Sequence, residues 1–254
     1  MTVTPTYARP VEGELRVGHV FSSAWDIFSA NFARFFAIGL VVALPNLLLL
    51  MTVPTETNAF GTTPAPAALG WRVFIGLAIM MVLNLMSQAV ILYIAFQYLR
   101  GQQVSMGEAL QRGLARFLPI LGLVILFGLG IWVGFLLLII PGLMLMVRWS
   151  VAVPACVLEG TGPVASLGRS AALTKGHRWK IFGIFLLIWI ASLVVATLLG
   201  LIANQFGRMA NLFANFFWTA CWAAYFNSVL VMVYHDLRVA KEGVDVDQIA
   251  AVFD

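Results

Sequence analysis

The sequence predicts an all-α integral membrane protein with six transmembrane helices. Of its 254 residues, 61% are hydrophobic and 10% are charged, whereas soluble domains carry about 25% charged residues. The mean hydropathy is +0.95, and the apolar residues form runs long enough to cross a bilayer, which takes about 20 residues of helix. This composition excludes a soluble enzyme, a disordered chain and a nucleic-acid-binding module.

Six apolar runs are candidate spans, so both termini are expected on the same side of the membrane. Pro141 and Gly142 separate the third run from the fourth, and a Pro-Gly pair predicts a tight turn. We interpret these two runs as a hairpin, with a re-entrant pair as the alternative. The 54–70 connection is expected as an external loop without secondary structure. The runs are Phe35–Val53, Val73–Gln97, Leu118–Ile140, Leu143–Leu158, Ile181–Ala203 and Asn211–His235.

Basic residues are divided unevenly between the two faces. One face contains both termini and the 98–117 and 159–180 connections, and it carries most of the lysines and arginines. The other face carries only Arg72 and Arg208. Because cytoplasmic connections are enriched in basic residues, both termini are predicted to be cytoplasmic in a bacterial inner membrane. The basic residues of that face are Arg9, Arg16, Arg34, Arg100, Arg112, Arg116, Arg169, Lys175, Arg178, Lys180, Arg238 and Lys241.

A unit of one amphipathic helix and a two-span hairpin occurs three times, which predicts a pseudo-threefold repeat within a single membrane domain, 1–254. The three helices have an apolar stripe and are short enough to lie in the headgroup plane. Ser105 and Glu108 form a capping box that begins the second helix. A basic, amphipathic inner-membrane loop is the simpler interpretation. The repeats cover about 15–97, 105–158 and 163–238, followed by a cytoplasmic tail, 239–254.

Each amphipathic helix meets its span at a basic residue beside an aromatic one. Arginine at headgroup level can contact lipid phosphate while the aromatic ring lies at the acyl boundary. Near an anionic leaflet each cation contributes about 1 kcal/mol of attraction. The candidate membrane-interface residues are Arg34, Arg116, Arg169, Lys175, Arg178, Trp179 and Lys180.

Arg148 is the charged residue that falls inside a predicted span. Its position six residues into the fourth run puts it roughly 9 Å below the outer boundary. A charge there costs about 2.5–3.5 kcal/mol, so it normally has a partner. Backbone carbonyls, the amides Asn84 and Gln88, or an external phosphate could serve. We therefore predict a ligand site at Arg148, Asn84 and Gln88 for an anionic headgroup or solute. The alternative is that Arg148 snorkels or braces the hairpin.

The sequence predicts neither a catalytic site nor a metal or cofactor site. Phosphodiester hydrolysis needs paired carboxylates, a histidine base or a metal, but the acidic residues fall in termini, loops or interfacial helices. His19, His177 and His235 are isolated from one another along the chain. The two cysteines, Cys156 and Cys221, lie in apolar runs and have no metal-ligand or disulfide spacing.

Three segments in order carry a family resemblance: Ile139–Gly160, Gly162–Gly183 and Val231–Asp245. Together they resemble the membrane domain of the glycerophosphoryl diester phosphodiesterase family and the related YciC-like group of six-span bacterial inner-membrane proteins. The likeness covers essentially the whole chain. It implies a multi-pass fold and a lipid-associated setting. Because only ten residues follow Val244, no catalytic barrel and no hydrolytic activity are expected.

These observations predict a non-enzymatic membrane protein that binds or handles anionic lipid headgroups in lipid or envelope homeostasis. Membrane phospholipids are the predicted partners, and a homo-oligomer or a membrane-protein partner remains open. One alternative is a small-solute transporter or channel whose route is lined by the same polar groups. Another is a scaffold or accessory subunit that uses the amphipathic helices as a platform.

Overall fold

The computed structural model describes residues 16–52, 55–58, 61–64, 71–102 and 104–243. Five helical segments in this part are long and apolar enough to cross a membrane, or six if a bent pair at the start counts as one span. The helical, multi-pass architecture is thus confirmed in outline. The helices are α1 (Val17–Ala30), α2 (Phe32–Thr52), α3 (Trp71–Leu99), α4 (Met106–Leu137), α5 (Ile139–Arg148), α6 (Ala152–Leu158), α7 (Pro163–Leu173), α8 (Arg178–Gln205) and α9 (Arg208–Glu242).

The central element is α9, which contacts six of the eight other helices described. It contacts α1, α2, α3 and α8 extensively and also touches α6 and α7. Between Val229 and Leu237 nearly every residue is buried. This stretch is apolar on almost all sides, and a helix of that kind must be enclosed by protein or by lipid. The predicted tail begins inside this helix, because residues 239–242 extend α9.

A separate helix, α1, occupies the first predicted amphipathic stretch and packs on α9, with Val20, Ala24 and Ile27 buried. It ends at Asn31, whose side-chain amide donates to the carbonyl of Ile27 at 3.1 Å. The axis then bends by 82° into α2. Ser23, a polar residue of this helix, is also buried.

The second amphipathic helix is not a separate element, which corrects the sequence interpretation. Residues 106–137 form one continuous helix, α4, begun as predicted by Ser105 accepting a bond from the Glu108 backbone N–H. Helix α1 ends at Asn31, and a turn that contains a glycine follows α7. The residues around Arg116 include no such helix-ending residue or turn, so α4 continues through them. The break between helix and span therefore occurs in the first and third units and not in the second.

The turn between the third and fourth predicted spans lies three residues earlier than expected. It is at Leu138, which has extended backbone angles, and Pro141 and Gly142 lie inside the first turn of α5. A proline is tolerated there because the first N–H groups of a helix have no partner within the helix. Gly142 lets α4 and α5 approach, since a Cβ atom at this position would meet the Phe135 ring at 2.7 Å.

The fourth run is broken into α5 and α6 at residues 149–151, and a short turn then leads to α7. Pro163 is the first residue of α7. After α7 ends at Leu173, Gly176 adopts a φ of +90°, which glycine reaches at no steric cost. This turn, residues 174–177, leads directly into α8, and we call it the α7–α8 hinge.

The 54–70 connection contains a short hairpin, which corrects the expectation of no secondary structure. Strand β1 (Thr55–Asn58) pairs antiparallel with β2 (Gly61–Pro64). The prediction rested on the Pro, Thr and Ala content of the segment. Threonine also favours strands, and two residues between the strands suffice to close a hairpin.

Candidate functional site

Arg148 ends α5 and its side chain is exposed. Its backbone carbonyl accepts hydrogen bonds from the hydroxyls of Ser170 at 2.9 Å and Thr174 at 3.2 Å. Both donors belong to the end of α7, a segment predicted to lie at the cytoplasmic surface. These contacts bring the backbone of Arg148 beside the α7–α8 hinge.

The amides that were predicted to accompany Arg148 lie on α3. Asn84 is exposed and donates to its own helix, at the Met80 carbonyl, over 3.2 Å. Gln88 is half-buried one turn further on. Within the described residues no hydrogen bond joins either amide to Arg148. The three-residue site therefore stays a prediction, and the structural neighbours of Arg148 are on α7.

The α7–α8 hinge gathers cations beside Arg148. Lys175 and Lys180 are exposed, and the Trp179 side chain between them is 85% exposed. Arg178 is half-buried, and its Nε atom has no hydrogen-bond partner. In the part of the chain that the structure describes, no ion pair involves any of the four cations. We call Arg148, Lys175, Arg178, Trp179 and Lys180 the hinge cluster.

A second polar group, which sequence reasoning missed, ties α7 to α9. The Arg169 side chain donates to Glu159 at 2.9 Å and also pairs with Glu242. Tyr234 donates to Glu159 at 2.7 Å, and Arg238 donates to Glu242 at 3.2 Å. Arg169, which stays a candidate membrane-interface residue, thus has carboxylate partners within the protein. We call these five residues the Arg169 network.

The Arg169 network favours the charged form of this guanidinium. Burial lowers its pKa, but the hydrogen bonds and charges of Glu159 and Glu242 outweigh burial, so the pKa is raised above the ordinary arginine value. A raised pKa favours the folded state until the pH climbs above the ordinary value. The stability contributed by this guanidinium is therefore constant across the neutral range.

Arg116 and Arg34, two further interface candidates, have different surroundings. Arg116 donates from Nη1 to the Gly160 carbonyl at 2.9 Å, and Gly160 has a φ of +71°. Arg34 is exposed and lines a small cavity of about 250 Å³ with Asn31 and Tyr98, where α1, α2 and α3 meet. The arginine of the second unit thus holds a turn, whereas that of the first stays open to solvent.

The structure corrects the expected isolation of the histidines. His19 of α1 lies 3.4 Å from Asp236 of α9, and His235 lies 3.5 Å from the same carboxylate. The Asp236 side chain is only 5% exposed. It lies one residue beyond the predicted sixth run, on the part of α9 that continues to Glu242. Among the described residues, no group of three histidine, cysteine or acidic side chains could hold a metal ion.

Comparison with known proteins gives one match. Residues 120–235 match the family model described as the membrane domain of glycerophosphoryl diester phosphodiesterase. This segment runs from the middle of α4 into α9 and contains the hinge cluster together with Arg169, Glu159 and Tyr234. No curated protein and no solved structure matches. The likeness to the YciC-like group stays a prediction. Over residues 120–235 the chain is thus similar to the membrane domain of the glycerophosphoryl diester phosphodiesterase family, as its sequence predicted.

Proposed function

We propose that this multi-pass membrane protein binds anionic phospholipid headgroups at the hinge cluster and has no enzymatic activity. The observation that carries the proposal is the group of four cations at the α7–α8 hinge that have no carboxylate partner among the residues that the structure describes. In our proposal the protein lies in a bacterial inner membrane with both termini in the cytoplasm, where the positive-inside rule puts such a cluster.

The charges of the hinge cluster need a counter-charge from outside the described chain. Cations at one site repel one another, and the Arg169 network shows how this fold places carboxylates beside an arginine that is used internally. No glutamate or aspartate plays that part at the hinge among the described residues. A lipid phosphate would supply the counter-charge at the level where hydrocarbon meets water.

The chemistry of the cluster suits a phosphate at the membrane surface. The Arg178 Nε and the neighbouring His177 Nδ1 are buried nitrogen atoms without partners, and a buried donor left unpaired costs about 1–3 kcal/mol. Helix α8 also begins here, and its N-cap residue, His177, makes no capping hydrogen bond through its side chain. Free N–H groups of a helix N-terminus favour an anion. Exposed Trp179 fits the interface, where indole rings prefer to lie.

The test is lipid retention measured by native mass spectrometry on the full chain in nanodiscs that contain phosphatidylglycerol. We expect Lys175→Gln and Lys180→Gln each to weaken retention about fivefold, since each loses a direct contact with the lipid phosphate, and an exposed contact between opposite charges contributes up to about 1 kcal/mol. The matched control is Arg100→Gln, which removes an exposed cation from the same predicted face at the end of α3. This control should retain the lipid as the unchanged protein does.

Three results would overturn the proposal. Equal losses for Arg100→Gln and the hinge variants would show general attraction to the leaflet rather than a site. Flux of a small anion through reconstituted vesicles, lost in Arg148→Gln while lipid retention is unchanged, would favour the transporter alternative. Free inorganic phosphate is added in a separate arm. If it displaces the lipid at millimolar concentration, the site binds a soluble anion instead.

A further inference from the structure

An aromatic groove opens beside the bundle between α1, α8 and α9. Its volume is about 460 Å³, within the range of roughly 300–1,000 Å³ that is usual for small-molecule sites. Trp25 forms the α1 side, while Trp218 and Trp222 form the α9 side. The lining is almost entirely apolar. A groove of this size and composition suits a flexible hydrocarbon chain.

The opening results from two small residues on α8. Ala191 and Ser192 lie between the larger Leu187 and Val195, and the missing side-chain volume leaves room against the aromatic rings. Trp25 is 58% exposed, so the groove is open at its side rather than closed by α1. A ligand would therefore enter laterally, from the hydrocarbon of the membrane.

Helix geometry aligns this groove with the hinge cluster. Lys180 precedes Leu187 by seven residues, which is about two turns or 10 Å along α8. Residues at this spacing share one face of a helix. A lipid whose phosphate contacts Lys180 would thus have an acyl chain directed along α8 toward Ala191.

We propose that the groove binds one acyl chain of the anionic phospholipid whose headgroup occupies the hinge cluster, an inference that rests on the function proposed above. The charge of Lys180 at the cytoplasmic end selects an anionic lipid over a neutral one. The acyl chain already lies in hydrocarbon, so the hydrophobic effect adds little. The additional attraction comes from close packing against tryptophan rings, and it requires a groove that stays open.

The experiment fills the groove and leaves the charges intact. Ala191→Trp places an indole in the space between α1 and α9, whereas Leu193→Trp adds the same ring on the exposed opposite face of α8. With phosphatidylglycerol nanodiscs and native mass spectrometry, we expect Ala191→Trp to weaken lipid retention about tenfold. Leu193→Trp should retain lipid normally. Thermal unfolding checks that both variants fold.

A second variant tests the groove independently, in case Ala191→Trp does not fold. Trp222→Ala removes one wall without adding volume, and we expect weaker retention here as well. Unchanged retention in both groove variants, with lipid lost from Lys180→Gln, would overturn the acyl-chain site and leave the headgroup proposal standing. Unchanged retention in all three variants would overturn both. A change from dimer to monomer in Ala191→Trp, without loss of lipid, would identify the groove as a contact between two copies and overturn the inference.

Discussion

At the residue scale, Arg169 connects parts of the chain that are far apart in sequence. It is ten residues from Glu159 and more than seventy from Glu242, and both carboxylates reach it in the folded protein. The three side chains are 18–28% exposed. Ion pairs at such partly buried positions are screened less than surface pairs, and removing one partner leaves a poorly solvated charge behind.

We therefore predict that Arg169→Gln lowers the free energy of unfolding by about 1–3 kcal/mol, the cost of leaving a buried charged or polar group without its partner. Thermal or denaturant unfolding in detergent would measure it. Arg238→Gln is the matched control on the same network, because Glu242 keeps its contact with Arg169 in that variant. If the two variants lose the same stability, Arg169 is not the central residue of the network.

Residue partners were the part of the site that the sequence could not predict. The pattern placed Arg169 and Arg178 on one predicted cytoplasmic segment. Only the folded chain shows that Arg169 pairs with two carboxylates, whereas Arg178 forms no ion pair with the described residues. Asp236 and His19 are 217 residues apart, and no local spacing signals their contact. Arg148, in contrast, was recognised as unusual from one fact, a charge within an apolar run.

At the element scale, glycines set how closely the helices approach. A Cβ atom on Gly39 of α2 would lie 2.9 Å from the backbone Cα of Ala220 on α9. Because a backbone atom cannot rotate away as a side chain can, the two helices would have to separate. Small residues at helix contacts allow this kind of close packing inside membranes.

The prediction from this contact is that Gly39→Ala destabilises the protein by about 1–3 kcal/mol, the usual cost of overpacking. Gly200→Ala in α8 is the control, since an added Cβ there meets no atom within 4 Å. Alanine also favours helix over glycine, so the control should be neutral or slightly stabilising. The prediction is tested by measuring the unfolding midpoints of the two variants in the same detergent. A stable Gly39→Ala would mean that α2 and α9 are less closely packed.

Hydropathy predicted the existence of the elements better than their ends. Long apolar runs such as Ile181–Ala203 fall inside observed helices, because the cost of exposing backbone polar groups in lipid leaves a spanning segment little other choice. The predictions that were wrong concern local features of the chain. Pro141 was interpreted as a turn, but the first turn of a helix accepts proline equally well. The second amphipathic stripe was interpreted as a separate helix, and nothing in its sequence stops α4.

At the scale of the whole molecule, the proposed orientation makes a direct prediction about chemical labelling. In a chain carrying Cys156→Ala and Cys221→Ala, single cysteines are introduced by Ser105→Cys, Lys175→Cys and Gln205→Cys, all at exposed positions. A membrane-impermeant maleimide added to intact cells should label only Gln205→Cys. The other two should react after the membrane is opened. Labelling of Lys175→Cys from outside would contradict the orientation and, with it, the cytoplasmic hinge cluster.

The position of α9 in the chain also has a consequence for assembly. Synthesis proceeds from the N-terminus, so α1, α2 and α3 enter the bilayer before the helix on which they finally pack has been made. Until then the Gly39 face of α2 and the Val20 face of α1 have only lipid, each other or a chaperone as neighbours. The bundle therefore closes late, when its last helix arrives. A ribosome stalled before α9 would leave α1 and α2 without the helix against which most of their contacts are made.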